Sequence, residues 1–353
     1  MRALIAMSGG VDSSVAAYLM QQEYECSGCT MHLRGDLDCR TDELIPKDID
    51  DAKAIAEKLG MPFYVFDFRS DFQKYVIDRF VHDYEIGTTP NPCINCNKYL
   101  KFGAIYDEAK RLGFDLIATG HYARIEERDG KYFLKKGKDI SKDQSYVLYT
   151  LTQEQLSHIK FPLGELSKSQ VRAIAEQNGF INANKKDSQD ICFVPDKKYA
   201  DVIERYSGKQ YEPGKFVDEQ GKVLGTHKGI INYTVGQHRG LGLPTDVPLY
   251  VKEIDAENNA VVLAFDQELY KDTVIVKDFN WISGKAPNGE IRGNAKIRYR
   301  HKEQPCSAVA GEDGIVRIKF DEPQRAPTPG QSCVLYDEDT VIGGGIITKD
   351  SMS

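Results

Sequence analysis

Two groups of residues have the types and spacing of a reaction centre. The first is Ser8-Gly9-Gly10-Val11-Asp12-Ser13-Ser14, which follows the apolar run Leu4–Met7 and opens an amphipathic stretch with apolar residues at 11, 15, 16, 19 and 20. Paired glycines let a backbone approach a ligand closely, and a helix start offers unpaired N–H groups at its positive end. Ser8, Ser13 and Ser14 add hydroxyl donors, so the stretch reads as an anion cradle. It has neither the lysine of a GxxxxGK[ST] loop nor a GxGxxG. A plain strand–turn–helix junction uses the same glycines.

The second group is three of the eight cysteines. Cys93 and Cys96 sit in Thr89-Pro90-Asn91-Pro92-Cys93-Ile94-Asn95-Cys96-Asn97-Lys98, read as a proline-stiffened loop before a helix, and Cys192 follows Lys186-Asp187-Ser188-Gln189-Asp190-Ile191. A thiol near a helix start, flanked by Lys98 or by Lys185 and Lys186, is expected to have a lowered pKa and a larger nucleophilic thiolate fraction. A zinc knuckle or an inert loop cysteine are the other readings, although zinc asks for four ligands at tight spacing. Cys26 and Cys29 fall in a strand pattern and read as core, Cys39 is undecided, and Cys306 and Cys333 read as structural.

The elements that must hold these residues alternate over the first part of the chain. Leu4–Met7, Tyr24–Leu33, Phe63–Phe68 and Asp115–Thr119 read as strands; Val11–Gln22, Ile49–Leu59, Phe72–His82 and Phe102–Leu112 read as helices. Gly60 and Gly113 are helix stops, and Ser167-Lys168-Ser169-Gln170 is a capping box opening a helix through Gln177. Such alternation predicts an α/β fold with a doubly wound parallel sheet. After about residue 205 glycines punctuate short strands, including Ala295–Tyr299, Val316–Phe320 and Ser332–Tyr336, which suggests a small barrel. The expected division is 1–204, 205–270 and 271–353.

The chain has 353 residues, 41% apolar and 28% charged, which excludes disordered and collagen-like classes. No apolar run approaches membrane-spanning length and the start does not read as a signal peptide, so a cytoplasmic, reducing location is expected. Nothing calls for an obligate interface, so a monomer without a membrane partner is expected. The formal charge of −7 argues against a nucleic-acid partner. Residues 285–302 argue the other way, with Lys285, Arg292, Lys296, Arg298, Arg300 and Lys302 against Glu290 alone, a local +5. Within it, residues 297–301 read as a strand exposing Arg298 and Arg300 on one face, with Tyr299 opposite, able to grip successive phosphates.

The SGGVDSS loop resembles the signature of the ATP pyrophosphatases. With it come PNPCxxCNxxxKF (90–102), ATGHYAR (118–124), KDQSYVLY (142–149), DSQDICF (187–193), Gly225-Thr226-His227-Lys228-Gly229 and Tyr233-Thr234-Val235-Gly236-Gln237, in one order. Together they are similar to the bacterial tRNA-specific 2-thiouridylase family across essentially the whole chain. The resemblance implies three parts: a Rossmann-like ATP-pyrophosphatase domain, a small central mixed domain and a C-terminal β-barrel. It also implies that ATP adenylylates the uracil O2 of the wobble uridine, so that AMP rather than oxide becomes the leaving group. A Cys192 persulfide then attacks C2, and Cys96 closes a disulfide with Cys192.

Carried over motif by motif, Ala6, Met7, Ser8, Gly9, Gly10, Val11, Asp12, Ser13, Met31 and Gly120 would bind ATP. Asp12 is either a Mg²⁺- or phosphate-orienting group or a first-turn acid favoured by the helix dipole. Asn91, Pro92 and Cys93 would touch the extruded target base. His121, Lys142, Asp143, Gln144, Ser145, Arg298, Tyr299, Arg300 and Gln331 would meet tRNA. The sulfur donor would be a sulfur-relay protein or a cysteine desulfurase. Cys93 stands where some members carry Asp, which leaves three thiols that could instead hold an iron–sulfur cluster. His238 stands where Arg is common, which would make one phosphate contact pH-dependent or remove it. A small-molecule ligase of the argininosuccinate- or GMP-synthetase kind, and a non-catalytic tRNA-binding or sulfur-carrier protein, are the rival readings.

Overall fold

The computed structural model describes residues 1–33, 47–183, 185, 191–194, 198–244 and 247–349. Cys39, Lys186 and the Asp187–Asp190 part of the last cysteine motif lie outside the described residues. The first part is built on β1 (Arg2–Ala6), α1 (Val11–Gln21), β2 (Glu25–His32), α2 (Lys47–Lys58) and β3 (Phe63–Asp67). There follow α3 (Arg69–Phe72), a π-helical stretch (Gln73–Ile77) and α4 (Asp78–Glu85). The cysteine helix is α5 (Pro92–Asn95), a second π-helical stretch (Cys96–Ala104) and α6 (Ile105–Arg111). Then come β4 (Leu116–Thr119), a hairpin of β5 (Ala123–Arg128) and β6 (Lys131–Lys136), α7 (Gln153–His158), β7 (Ile159–Lys160), α8 (Lys168–Gln177) and α9 (Tyr199–Ser207).

Strands pair in the order β3-β2-β1-β4-β7, with all neighbours parallel. Alternate residues of one strand feed opposite layers: Ala3 and Ile5 pack with α1, α2 and α8, whereas Leu4 packs with α3, α4 and α6. That two-sided burial makes the sheet doubly wound. The order reverses between β1 and β4, so the crevice beyond their C-terminal ends is the expected ligand position. The capping box at Ser167 forms as the sequence predicts, and Gly60 and Gly113 turn left-handed after α2 and α6.

The cysteine segment differs from its expectation. Asn91 caps the helix, accepting the Cys93 N–H at 3.2 Å, and Pro92 occupies the first turn, so Cys93 and Cys96 are helical rather than on a loop. An N-cap followed by proline at N1 needs no donor from the proline.

The second sheet comprises β8 (Gly214–Val217), β9 (Val223–His227), β10 (Tyr250–Asp255) and β11 (Ala260–Ala264) in the order β10-β11-β8-β9. Its apolar face has no core of its own: Phe216, Val251, Ile254 and Val261 share a cluster with Phe80, Tyr84 and Val202. The third is an antiparallel barrel of β12 (Tyr270–Trp281), β13 (Glu290–Lys296), β14 (Gln304–Ala310), β15 (Val316–Arg325), β16 (Ser332–Asp337) and β17 (Thr340–Ile347), closed by β12–β17 pairing. The β5–β6 hairpin extends this barrel sheet from the first part of the chain.

The KDQSYVLY stretch docks the barrel. Tyr146 and Tyr149 share a buried cluster with Ile94 and Phe102 of the cysteine helix and with Val334 and Tyr336 of the barrel. The Tyr146 hydroxyl donates to the Ser332 carbonyl at 2.7 Å, and the Asn280 amide donates to the carbonyls of Tyr149 and Leu151 at 2.7 and 3.0 Å. The Tyr149 ring rests on Gly344, where a Cβ would stand 2.8 Å from a ring carbon. Gly344→Ala is therefore expected to lower stability by about 1–3 kcal/mol through overpacking, read as a lower urea midpoint with an unchanged slope.

Candidate active site

The glycine-rich loop joins β1 to α1 at the switch point. Gly9 is left-handed at φ +67°, and a Cβ there would stand 2.5 Å from the Asp48 carbonyl oxygen. The Ser13 hydroxyl donates to the Gly10 carbonyl at 3.0 Å and accepts the Ser8 N–H at 3.1 Å; Ser14 donates to the same carbonyl. Gly120, just beyond β4, lies against the start of α1: a Cβ would be 2.8 Å from the Ser13 nitrogen. Ala6 pairs with both Cys29 and Thr119, and Met31 lies near the end of β2, so these residues border one crevice. Val11 is buried in the layer beneath the loop, with Met7.

Asp12 is not a lone first-turn acid. Lys168 of α8 reaches both its carboxylate oxygens at 2.7 and 2.8 Å, and the Tyr122 hydroxyl donates to one of them at 2.7 Å. Behind the loop, Asn182 donates to the Gly9 carbonyl and the Ser14 hydroxyl. Lys185 is engaged by Asp48, Asp51 and the Gly9 carbonyl. Neither Tyr122 nor Asn182 stands out in the sequence, and Lys168 does so only through its capping box. Their common signal is position after β4 or at the start and end of α8, and only the fold brings those ends to the loop.

The three cysteines lie within electrostatic range of one another. Cys93 and Cys192 are exposed and Cys96 is half-buried. A charge on Cys192 raises the thiol pKa of both Cys93 and Cys96. Cys192 is fixed by its neighbour Phe193, whose ring packs edge-on against Phe72 at 5.8 Å and Phe80 at 5.2 Å. The lowered thiol pKa expected beside a helix start is not found at Cys93 or Cys96. Burial pushes Cys96 up to about 12, and protein atoms packed around the Cys93 sulfur raise that thiol as well although the residue as a whole is exposed. The cation that opposes this is Lys101. Lys98 instead lies over the Tyr99 ring, and Lys185 is spent on its aspartates.

His121 is buried beside Phe102 and Phe161, with its Nδ1 2.7 Å from the Thr119 hydroxyl. Burial, and Lys101 after it, hold it well below the ordinary histidine pKa, so the ring is neutral at pH 7. Asp143, Gln144 and Ser145 spend their side chains internally. Asp143 accepts the Gly137 and Ser145 N–H groups and the Ser145 hydroxyl, and Gln144 accepts the Tyr122 N–H. Lys142 is half-buried on the turn before them.

The strand expected over 297–301 is absent: β13 ends at Lys296 and a turn follows. Arg298 therefore points inward, donating to the Ala326 carbonyl at 2.7 Å and the Thr328 hydroxyl at 2.6 Å, while Arg300 is exposed. The Tyr299 hydroxyl donates to the Asp143 carbonyl at 3.3 Å, and Tyr299 lies within electrostatic range of Cys93. The local +5 is also partly neutralised by residues outside its window, Asp321 pairing with Arg292 and Glu303 with Lys296. Gln331 donates to the Thr89 carbonyl at 2.7 Å, just before Asn91. His238 packs its ring against Tyr250 at 5.3 Å, lining a cavity of about 150 Å³ with Leu241, Leu243 and Leu249.

Three family models match the chain in succession: a tRNA methyl transferase HUP domain over residues 1–196, a PRC-barrel domain over 200–264 and an aminomethyltransferase β-barrel domain over 271–347. The tRNA-specific 2-thiouridylase MnmA of Clostridioides difficile is 48% identical over 354 residues, covering 99% of this chain and 98% of that protein. The chain belongs to the tRNA-specific 2-thiouridylase family. Another 2-thiouridylase relative, from Acetivibrio thermocellus, is 49% identical and covers 98% of this chain. No helix among the described residues is long and apolar enough to cross a membrane.

The neutral His121 gives a pH signature with a defined sign. The unfolded chain takes up a proton near pH 6.5 whereas the buried ring resists it, so stability falls as pH drops below about 6.5. At pH 5.5 wild type should lose about 1.4 kcal/mol more, relative to pH 7.5, than His121→Asn. Urea unfolding of both proteins at the two pH values measures the difference; His227 and His301, also held low by burial, are common to both.

Proposed function

We propose that this protein is an ATP-dependent tRNA-uridine 2-sulfurtransferase acting on the wobble uridine, with units at 1–204, 205–270 and 271–353. The observation that carries the reading is that Cys93, Cys96 and Cys192 lie within electrostatic range of one another in a chain of the 2-thiouridylase family. Lys101 faces both the thiols and His121, two residues beyond β4, so the sulfur chemistry lies next to the nucleotide loop.

The Ser8–Ser13 cradle holds the pyrophosphate portion of ATP, with Gly120 admitting the nucleotide against α1. Attack of uracil O2 on the α-phosphorus releases pyrophosphate and makes AMP the future leaving group. The terminal sulfur of a Cys192 persulfide forms a bond to C2, and the C2–O bond breaks with AMP. Cys96 then forms a bond to Cys192 Sγ, and the electron pair of the broken S–S bond stays on the sulfur now attached to uridine. That sulfur is reduced, two cysteines are oxidised to a disulfide, and a thiol reductant must restore them. Asn91, Pro92 and Cys93 face the extruded base, while Tyr299, Arg300 and the 142–145 turn lie where the tRNA would approach. We read Arg298 and Gln331 as acting on tRNA through the loops they hold.

Mg²⁺ is assigned to the incoming triphosphate, because the Asp12 oxygens are already engaged by Lys168 and Tyr122. The iron–sulfur alternative would need the thiols to close further: among the described residues no three His, Cys, Asp or Glu side chains come near enough to hold a metal ion. The persulfide route is therefore preferred. The donor is a persulfide-bearing protein, either a relay protein or a cysteine desulfurase.

The test is incubation with ATP, Mg²⁺, a persulfide donor and unmodified tRNA. 2-Thiouridine is expected at the wobble position, with AMP and pyrophosphate released only when tRNA is present. Cys96→Ser and Cys192→Ser should each abolish thiolation while leaving nucleotide affinity unchanged. Gly120→Ala should weaken ATP binding at least tenfold, because its Cβ would meet backbone. ATP cleavage without tRNA, or serine variants that still thiolate, would refute the reading.

A further inference from the structure

Lys101 stands apart from the other basic residues near the cysteines. Its side chain makes no hydrogen bond or ion pair with any described residue, and the residue is half-buried. Its position follows from an irregularity in the helix. Cys96–Ala104 is a π-helix, and the Ile105 N–H reaches the Leu100 carbonyl, five residues back. In an α-helix a residue five positions on lies about 140° around the axis. The wider π turn returns it to nearly the same face, and such stretches are frequent at functional sites. Here the pair brought into line is Cys96 and Lys101.

We propose that Lys101 is a positioning residue of the sulfur-transfer reaction, its ammonium serving as counter-ion to the Cys96 sulfur when that sulfur acts as an anion. This rests on the reading of Cys96 as the thiol that closes the disulfide. The groups facing Cys96 are Cys93 and Lys101 from its own helix and Cys192 from the turn before α9; neutral His121 at the end of β4 also faces Lys101. Burial and the two neighbouring thiols all oppose a negative charge on Cys96, and Lys101 is the group that favours it. In the step concerned, the Cys96 proton passes to solvent, its sulfur bonds to Cys192 Sγ, and the departing electron pair remains on the transferred sulfur. No additional oxidant is required.

The experiment is the pH dependence of Cys96 alkylation by iodoacetamide, followed by peptide mass spectrometry in the full-length protein without tRNA, for wild type, Lys101→Met and Lys101→Arg. Lys101→Met should move the alkylation midpoint upward by about one pH unit, making labelling near neutral pH about tenfold slower. Lys101→Arg should restore most of the wild-type profile. ATP-analogue affinity should be unchanged in all three, and Lys101→Gln provides a second neutral variant should the Met variant not fold. A Lys101→Met or Lys101→Gln profile superimposed on wild type overturns the proposal, as does weakened tRNA binding with unaltered alkylation, which would make Lys101 a phosphate contact. Alkylation is read without turnover, so wild type failing to thiolate tRNA would refute the sulfurtransferase reading separately.

Discussion

Thr89 is where the three parts of the molecule are tied to the cysteine helix. Its N–H donates to the Pro329 carbonyl at 2.8 Å, its carbonyl accepts the Gln331 amide at 2.7 Å, and its hydroxyl meets Thr234 at 3.2 Å. The barrel loop can come this near because residue 330 is glycine, left-handed at φ +89°, where a Cβ would stand 2.9 Å from the Thr89 nitrogen. Two residues later Asn91 caps the helix that carries Cys93 and Cys96. The direction of that helix, and so the placement of two thiols, depends on contacts from loops that precede a strand in each of the other two sheets. With the central sheet sharing a core with α4 and α9, the molecule is better described as one scaffold around a site than as three independent bodies.

Electrostatics follow the same logic of local placement. The chain total of −7 says little, because the charges near the site are assigned individually. Asp12 is matched to Lys168, Lys185 to Asp48 and Asp51, and Arg292 to Asp321. Arg298 is turned inward to backbone carbonyls. Against this paired background Lys101 and exposed Arg300 are among the described cations with no carboxylate partner. Desolvation dominates at Cys93 and Cys96, so their reactivity depends on a specific neighbouring charge.

Much of the frame was legible in the sequence. Period and glycine stops marked β1, α1, α2 and α8, and Ser167 with Gln170 marked a capping box that forms as expected. Asn91-Pro92 was an equally good helix start, and reading the prolines as loop formers obscured it. Residues 297–301 have alternating character, yet the Arg298 guanidinium finds better partners in the 326–328 loop than on an open face, and tertiary contacts override the period. The π register at Cys96 and the docking role of residues 142–149 have no local signature. The docking depends on packing against the barrel, which no short window contains.

The central claim is that Cys96 and Cys192 act as a pair during sulfur transfer. The direct measurement is non-reducing peptide mapping after a single turnover with persulfide-loaded protein, ATP and tRNA, without added reductant. A Cys96–Cys192 disulfide should form in proportion to the 2-thiouridine produced. Stoichiometric thiolation with both thiols still reduced, or with the bridge formed by Cys93 instead, would contradict it.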